Sequence, residues 1–176
     1  MTAAARRVLC PRCGRPSPRG CVCEFVRPVD NRVAVLVLQH PDEVDEPKGT
    51  ARLLALSLAR CRVVVGEVFE PRALAAMLHE GGACARLLYP DVTAAPAPAQ
   101  AMAEADPPAT RLVVIDATWR KSLRMLLSNP VLAALPRLAL PEGEGGTDRR
   151  YARLRPARRA GQRSTLEATC AALALL

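Results

Sequence analysis

The chain of 176 residues reads as an α/β fold: a mostly parallel sheet with helices on both faces, carrying a small N-terminal cysteine knuckle. Three observations predict it. The runs Arg32–Gln39 and Arg111–Ile115 are continuously apolar and β-branched, as strands buried on both faces are. Such runs alternate with Ala/Leu-rich segments of helical spacing, which argues for crossover connections and a parallel sheet. Four of the seven cysteines, Cys10, Cys13, Cys21 and Cys23, lie close together ahead of the first strand. With half of its residues apolar, the chain suffices for one buried core plus an appendage, and we divide it into a knuckle (1–28) and a main domain (29–176).

The knuckle has the pattern C-x2-C-x7-C-x-C, with Pro11, Gly14, Pro16, Pro18 and Gly20 supplying turns that can fold it around one ion. Four thiolates suit tetrahedral Zn2+, and Arg6, Arg7, Arg12, Arg15 and Arg19 would offset their charge. A redox couple at Cys10 and Cys13 is the alternative. The first strand ends in Gln39-His40-Pro41, and an acidic loop leads to Thr50, which can cap a helix running to about Arg60. Arg62–Val68 reads as a second buried strand, Pro71 opens a helix that Gly81-Gly82 stops, and Arg86–Tyr89 is a short third strand. Residues 92–110 are Ala/Pro-rich and read as a surface linker.

The Arg111 strand then delivers Asp116 to its carboxyl end, where open parallel sheets bind ligands. Thr118 can cap a helix whose apolar stripe would be Trp119, Leu123, Leu126 and Leu127. Arg120, Lys121 and Arg124 lie off that stripe as a basic face. Asn129-Pro130 breaks the helix, Arg137–Leu140 is a further strand, and Glu142–Arg150 is a Gly-rich charged loop followed by Tyr151–Arg155. Ser164-Thr165-Leu166-Glu167 fits a capping box opening the last helix, whose start also offers backbone N–H groups to an anion. Cys61, Cys84 and Cys170 read as small core residues, and His79 as a solvated helix end.

The net charge of +8 is segregated: +5 over residues 1–28, −4 over 29–110 and +7 over 111–176. Both basic ends can meet on one face and neutralise phosphates, with the acidic middle facing elsewhere. Only five aromatic residues argue against an extended base-stacking platform. No apolar stretch approaches the roughly 20 residues of a membrane span, and the N-terminus lacks the apolar core of a secretion signal, so a cytoplasmic protein is expected. No G-x-G-x-x-G, phosphate-loop or G-x-S-x-G pattern occurs. Asp116 and His40, each ending a buried strand, suggest one shared crevice.

Nine elements occur in the order seen in DTW-domain proteins. They are the cysteine pairs, Gln39-His40-Pro41-x-Glu43, Thr50-Ala51-Arg52-Leu53, Leu88-Tyr89-Pro90, Asp116-x-Thr118-Trp119, Asn129-Pro130, Leu135-Pro136, Tyr151-x-x-Arg155 and Ser164-Thr165-x-Glu167-Ala168. The chain thus resembles the bacterial tRNA-uridine aminocarboxypropyltransferases of that family along nearly its whole length. The resemblance implies a knotted, SPOUT-like fold that binds S-adenosylmethionine and moves its 3-amino-3-carboxypropyl group to N3 of a tRNA uridine, leaving methylthioadenosine. It also implies that Cys10, Cys13, Cys21 and Cys23 hold zinc and that Asp116, Thr118 and Trp119 lie in the active site. Ala117 stands where Gly is common, and Gly49 where Asn is expected.

Within that frame Asp116 is the expected base for uracil N3. Tyr89, Pro90, Leu140, Ser164 and Thr165 are assigned to the cofactor, and His40, Glu43, Arg120 and Arg124 to the tRNA; no protein or membrane partner is implied. The rivals are a SPOUT-type RNA methyltransferase and a non-catalytic RNA-binding zinc protein.

Overall fold

The computed structural model describes residues 8–46, 48–90, 110–141 and 163–176. Among these residues five strands, β1 (Ala34–Gln39), β2 (Cys61–Val65), β3 (Ala85–Leu88), β4 (Arg111–Asp116) and β5 (Arg137–Leu138), form one sheet in the order β2-β1-β4-β3-β5. Every pairing is parallel. The central pair β1 and β4 runs in register from Ala34 opposite Arg111 to Gln39 opposite Asp116. Among the described residues five α-helices accompany the sheet: α1 (Ala51–Ser57), α2 (Pro71–His79), α3 (Trp119–Ser128), α4 (Pro130–Ala133) and α5 (Thr165–Leu173). The linker 92–110 apart from Thr110, the loop 142–150 and Tyr151–Arg155 lie outside the described residues.

Strand residues alternate between two cores, as a period of two requires. Leu36, Leu38, Leu87 and Val113 meet Leu74 and Leu78 of α2, Met125 and Leu126 of α3, and Leu132 of α4. Val35, Val37, Leu112 and Val114 meet Ala51 and Leu54 of α1 and Ala172 of α5 on the other face. Each fully buried leucine contributes about 1.5–3 kcal/mol of transfer free energy, so these two layers carry the fold. β2 departs from expectation: it is a half-exposed edge strand rather than one buried on both faces, because β1 covers only one of its sides. The helix expected to reach Arg60 ends at Ser57, and the chain then bridges Val29 to Leu58.

α3 also corrects the sequence reading. Trp119, Leu123 and Leu127 are 56%, 43% and 73% exposed, and the helix buries Ser122, Met125 and Leu126. The buried arc is therefore rotated by about one residue step, roughly 100°. The cause is polar. Ser122 turns its hydroxyl back to the Trp119 carbonyl at 2.9 Å, and Asn129, at the helix end, is 2% exposed. The Asn129 amide accepts from Phe69 N–H at 2.9 Å and donates to the carbonyls of Glu67 at 2.9 Å and Met125 at 2.6 Å. Such inward, satisfied polar groups are invisible to a count of apolar residues. Cys61 is half-buried against the α1/α5 core, but Cys170 is exposed and is no core residue.

The chain leaves β1 for α1 on one face and leaves β4 for α3 on the opposite face. Between two neighbouring strands whose outgoing segments part in this way, a crevice opens at the carboxyl ends. Gln39, His40 and Asp116 stand at that parting of the two strands.

Candidate active site

Asp116 is 6% exposed and points to the α1/α5 side of the sheet, the same side as Val114. Its register partner Gln39 faces that side too, and Gln39 Nε2 donates to Asp116 Oδ2 at 2.8 Å. The Thr165 hydroxyl donates to Asp116 Oδ1 at 2.5 Å from the first turn of α5. A buried carboxylate is thus held by one donor on each oxygen, the arrangement that makes its burial tolerable. His40 shares the crevice through its backbone, whose N–H donates to the Asp116 carbonyl at 3.0 Å, but its side chain falls on the opposite face. Gln39, unassigned by the sequence reading, is the residue that meets the carboxylate. The signal was present in the alternation of β1 but needed the β1/β4 register to be read.

The start of α5 is consumed by internal partners. Ser164 Oγ accepts from Glu167 N–H at 3.2 Å while Glu167 Oε2 accepts from Ser164 N–H at 2.8 Å, the predicted capping box. Leu166 N–H donates to Thr50 Oγ1 at 3.1 Å. The Leu166 and Glu167 amides are therefore spent inside the fold. Thr50 begins α1 by position without a capping bond of its own, its hydroxyl being turned to α5 instead. Thr118 likewise begins α3 without a side-chain cap and is exposed.

On the other side of the sheet end, Tyr89 is buried beneath Trp119, whose ring meets it edge-on at 6.0 Å between centroids and 69° between planes. Tyr89 Oη lies 3.4 Å from Ser122 Oγ, and the Arg137 guanidinium carbon sits 5.4 Å from the tyrosine ring centre. Trp119 is thereby fixed at one edge while most of its surface stays in solvent. Pro90 is exposed beside it, and Leu140 is half-buried on the α1/α5 core. Ala117, in the turn after Asp116, needs no glycine: no described non-glycine residue has a positive φ.

His40, Pro41, Asp42, Glu67, Arg120, Lys121 and Arg124 line a cleft of about 590 Å³ next to this aromatic pair. Its charges are paired. Lys121 Nζ lies 3.2 Å from Asp42 Oδ2 and 3.3 Å from Glu43 Oε1, and the Asp42 carboxylate, with Glu43 beside it, pushes the ammonium pKa up. Arg124 Nε lies 2.7 Å from Glu67 Oε1, and His40 Nε2 lies 3.7 Å from Glu67 Oε2. His40 Nδ1 accepts from Asp42 N–H at 3.1 Å. The acidic segment therefore does not face elsewhere, as charge segregation suggested. It supplies Asp42, Glu43 and Glu67 to the same cleft as the basic face of α3, so Lys121 and Arg124 meet carboxylates, and the exposed Arg120 also lines the cleft.

The four cysteine sulfurs of the knuckle lie within 4.8 Å of one another, with Cys10 to Cys23 at 3.7 Å and Cys13 to Cys21 at 3.8 Å. A tetrahedral ion with bonds of about 2.3 Å to sulfur requires sulfurs about 3.8 Å apart. The set thus fits a metal ion, and the Val22 backbone N–H beside Cys13 holds that thiol down at about 6, towards the thiolate a metal needs. Arg52 of α1 anchors the knuckle by donating to the carbonyls of Arg12 at 2.9 Å and Pro11 at 2.6 Å. Gly14 has φ +70°, and a Cβ there would stand 3.2 Å from the Arg52 guanidinium. Arg15 reaches the Gly49 carbonyl at 3.4 Å, a contact that uses backbone and so does not need a side chain at position 49.

No described helix is long and apolar enough to cross a membrane. No solved structure matches the chain. It is 29% identical over 180 residues to the mouse (Mus musculus) tRNA-uridine aminocarboxypropyltransferase 2, an alignment covering 98% of this chain and 58% of that protein. The chain thus spans little more than half the length of this relative. The DTW domain matches residues 7–176, from the knuckle through Asp116, Thr118 and Trp119 to the end of α5, and the chain belongs to the DTW-domain family.

Proposed function

We propose that this protein transfers the 3-amino-3-carboxypropyl group of S-adenosylmethionine to N3 of a tRNA uridine, with residues 29–176 as a SPOUT-like knotted catalytic domain and residues 1–28 as its zinc knuckle. The observation that carries this reading is the buried Asp116 carboxylate at the parting of β1 and β4, held by Gln39 and Thr165. The named activity of the mouse relative and the shared DTW domain support the reaction class.

The cosubstrate supplies an electrophilic carbon bonded to a sulfonium. This chain has to align a nucleophile with that carbon and remove the proton from uracil N3. Asp116 is the acceptor for that proton. As N3 bonds to the carbon, the carbon–sulfur bond breaks and the sulfur leaves as a neutral thioether. Trp119, exposed and braced by Tyr89, offers a stacking face to an extruded base, and Thr118 lies at the same turn. Of the residues assigned to the cosubstrate, Leu140, Ser164 and Thr165 belong to the α1/α5 side of the sheet and the buried Tyr89 to the α3 side, while Pro90 is exposed. His40, Glu43, Arg120 and Arg124 border the place for the RNA backbone. Cys10, Cys13, Cys21 and Cys23 hold zinc, which orders the knuckle and takes no part in the transfer.

The decisive experiment incubates the protein with S-adenosylmethionine and unmodified tRNA and identifies both products by mass. Methylthioadenosine with an aminocarboxypropylated uridine is expected. S-adenosylhomocysteine would establish a methyltransferase, and tRNA binding without cosubstrate turnover would leave an RNA-binding zinc protein. Asp116→Asn should lose about 10²–10⁴-fold in rate while retaining tRNA affinity and zinc.

A further inference from the structure

We propose that Thr165 relays the proton from uracil N3 to Asp116, so that the threonine hydroxyl, not the carboxylate, touches the base. The inference rests on the reading above and assigns a new role within that site. Asp116 is almost wholly buried, and its Oδ2 faces the equally buried Gln39. Its other oxygen is screened by the Thr165 hydroxyl at 2.5 Å, and Thr165 is the less deeply buried member of the pair. A base brought up to Asp116 Oδ1 therefore meets Thr165 Oγ1 first. That oxygen spends its own hydrogen on Asp116 and keeps its acceptor lone pairs for an incoming N–H.

The transfer balances. The N3 proton passes to Thr165 Oγ1 as the threonine proton passes to Asp116 Oδ1, in one concerted shift that leaves no free alkoxide. The N3 electron pair forms the nitrogen–carbon bond, and the pair of the breaking carbon–sulfur bond goes to sulfur. A carboxylate and a sulfonium become a neutral acid and a neutral thioether. The same short bond also pins α5 to β4, so the test must separate chemistry from packing.

Thr165→Val removes the hydroxyl and keeps the shape, and Thr165→Ser keeps the hydroxyl. Single-turnover transfer is measured for both on ordinary tRNA and on tRNA transcribed with 5-fluorouridine, whose N3–H is the stronger acid. The relay predicts a loss of about 10²-fold or more in Thr165→Val, rescue in Thr165→Ser, and a smaller Thr165→Val deficit on the fluorinated tRNA. Equal deficits on both tRNAs, or undiminished transfer by Thr165→Val, would overturn it. Should Thr165→Val fail to fold, comparing Thr165→Ser with the parent protein in mixed light and heavy water gives the answer: two protons in flight support the relay, and one overturns it. If the parent protein transfers nothing to either tRNA, the functional reading itself fails and not the relay alone.

Discussion

Replacing Gln39 by Glu is a sharp probe of the crevice, because it turns the 2.8 Å donor–acceptor contact with Asp116 into two facing carboxyl groups. Two negative charges at that distance would repel by about 6 kcal/mol at an effective dielectric of 20. The pair therefore keeps one proton between its oxygens over a pH range in which the unfolded chain, with a free Glu near 4.3, has released it. The folded variant binds more protons than its unfolded state, so its stability falls as pH rises, by about 1.4 kcal/mol per pH unit. Between pH 4.3 and 7 the variant should lose roughly 3–4 kcal/mol relative to the parent. Urea unfolding of both proteins at pH 5, 6 and 7 measures the difference directly. A difference that stays constant with pH would show that positions 39 and 116 do not share a buried contact, and the site as described would be wrong.

Asn129→Ala should destabilise the protein by about 2–5 kcal/mol in urea unfolding, since it strands the Phe69 N–H and the Glu67 and Met125 carbonyls in the interior. Trp119→Ala is expected to behave in the opposite way: it sacrifices one edge-on ring contact, about 0.5–1.5 kcal/mol of stability, yet weakens tRNA binding by the 1–3 kcal/mol or so of a base stack. Binding measured at fixed salt, beside thermal unfolding, separates the two effects. Chelation should release one zinc per chain, read with a colorimetric indicator, and should proceed more readily as pH falls, because protons compete for the thiolates.

The layers of this fold are legible in the sequence because a strand covered on both faces has to be apolar along its interior, as β1 is from Ala34 to Leu38 and β4 from Leu112 to Ile115. The capping box at Ser164 and the cysteine cluster are equally local and appear as read. What stayed hidden depends on pairing across the chain. Gln39 looks like an ordinary polar strand end until register sets it opposite Asp116. Thr50 looks like a helix cap until α5 arrives to claim its hydroxyl. The rotation of α3 escaped because Ser122 and Asn129 satisfy their polar groups inward, so a pattern of apolar residues alone chose the wrong face. Lys121 and Arg124 read as a free basic face because their carboxylate partners lie 57 to 79 positions earlier in the chain.

The two grips on the Asp116 carboxylate reach it from 77 residues upstream and 49 residues downstream. On the proposed function, a nascent chain that has already made Asp-Ala-Thr-Trp would carry an incomplete site until the C-terminal helix settles against the sheet. Long-range closures of this kind form late in folding. Proteolytic or cotranslational fragments ending before residue 160 should accordingly keep the motif and display no turnover, which makes docking of the final helix the step that switches the molecule on.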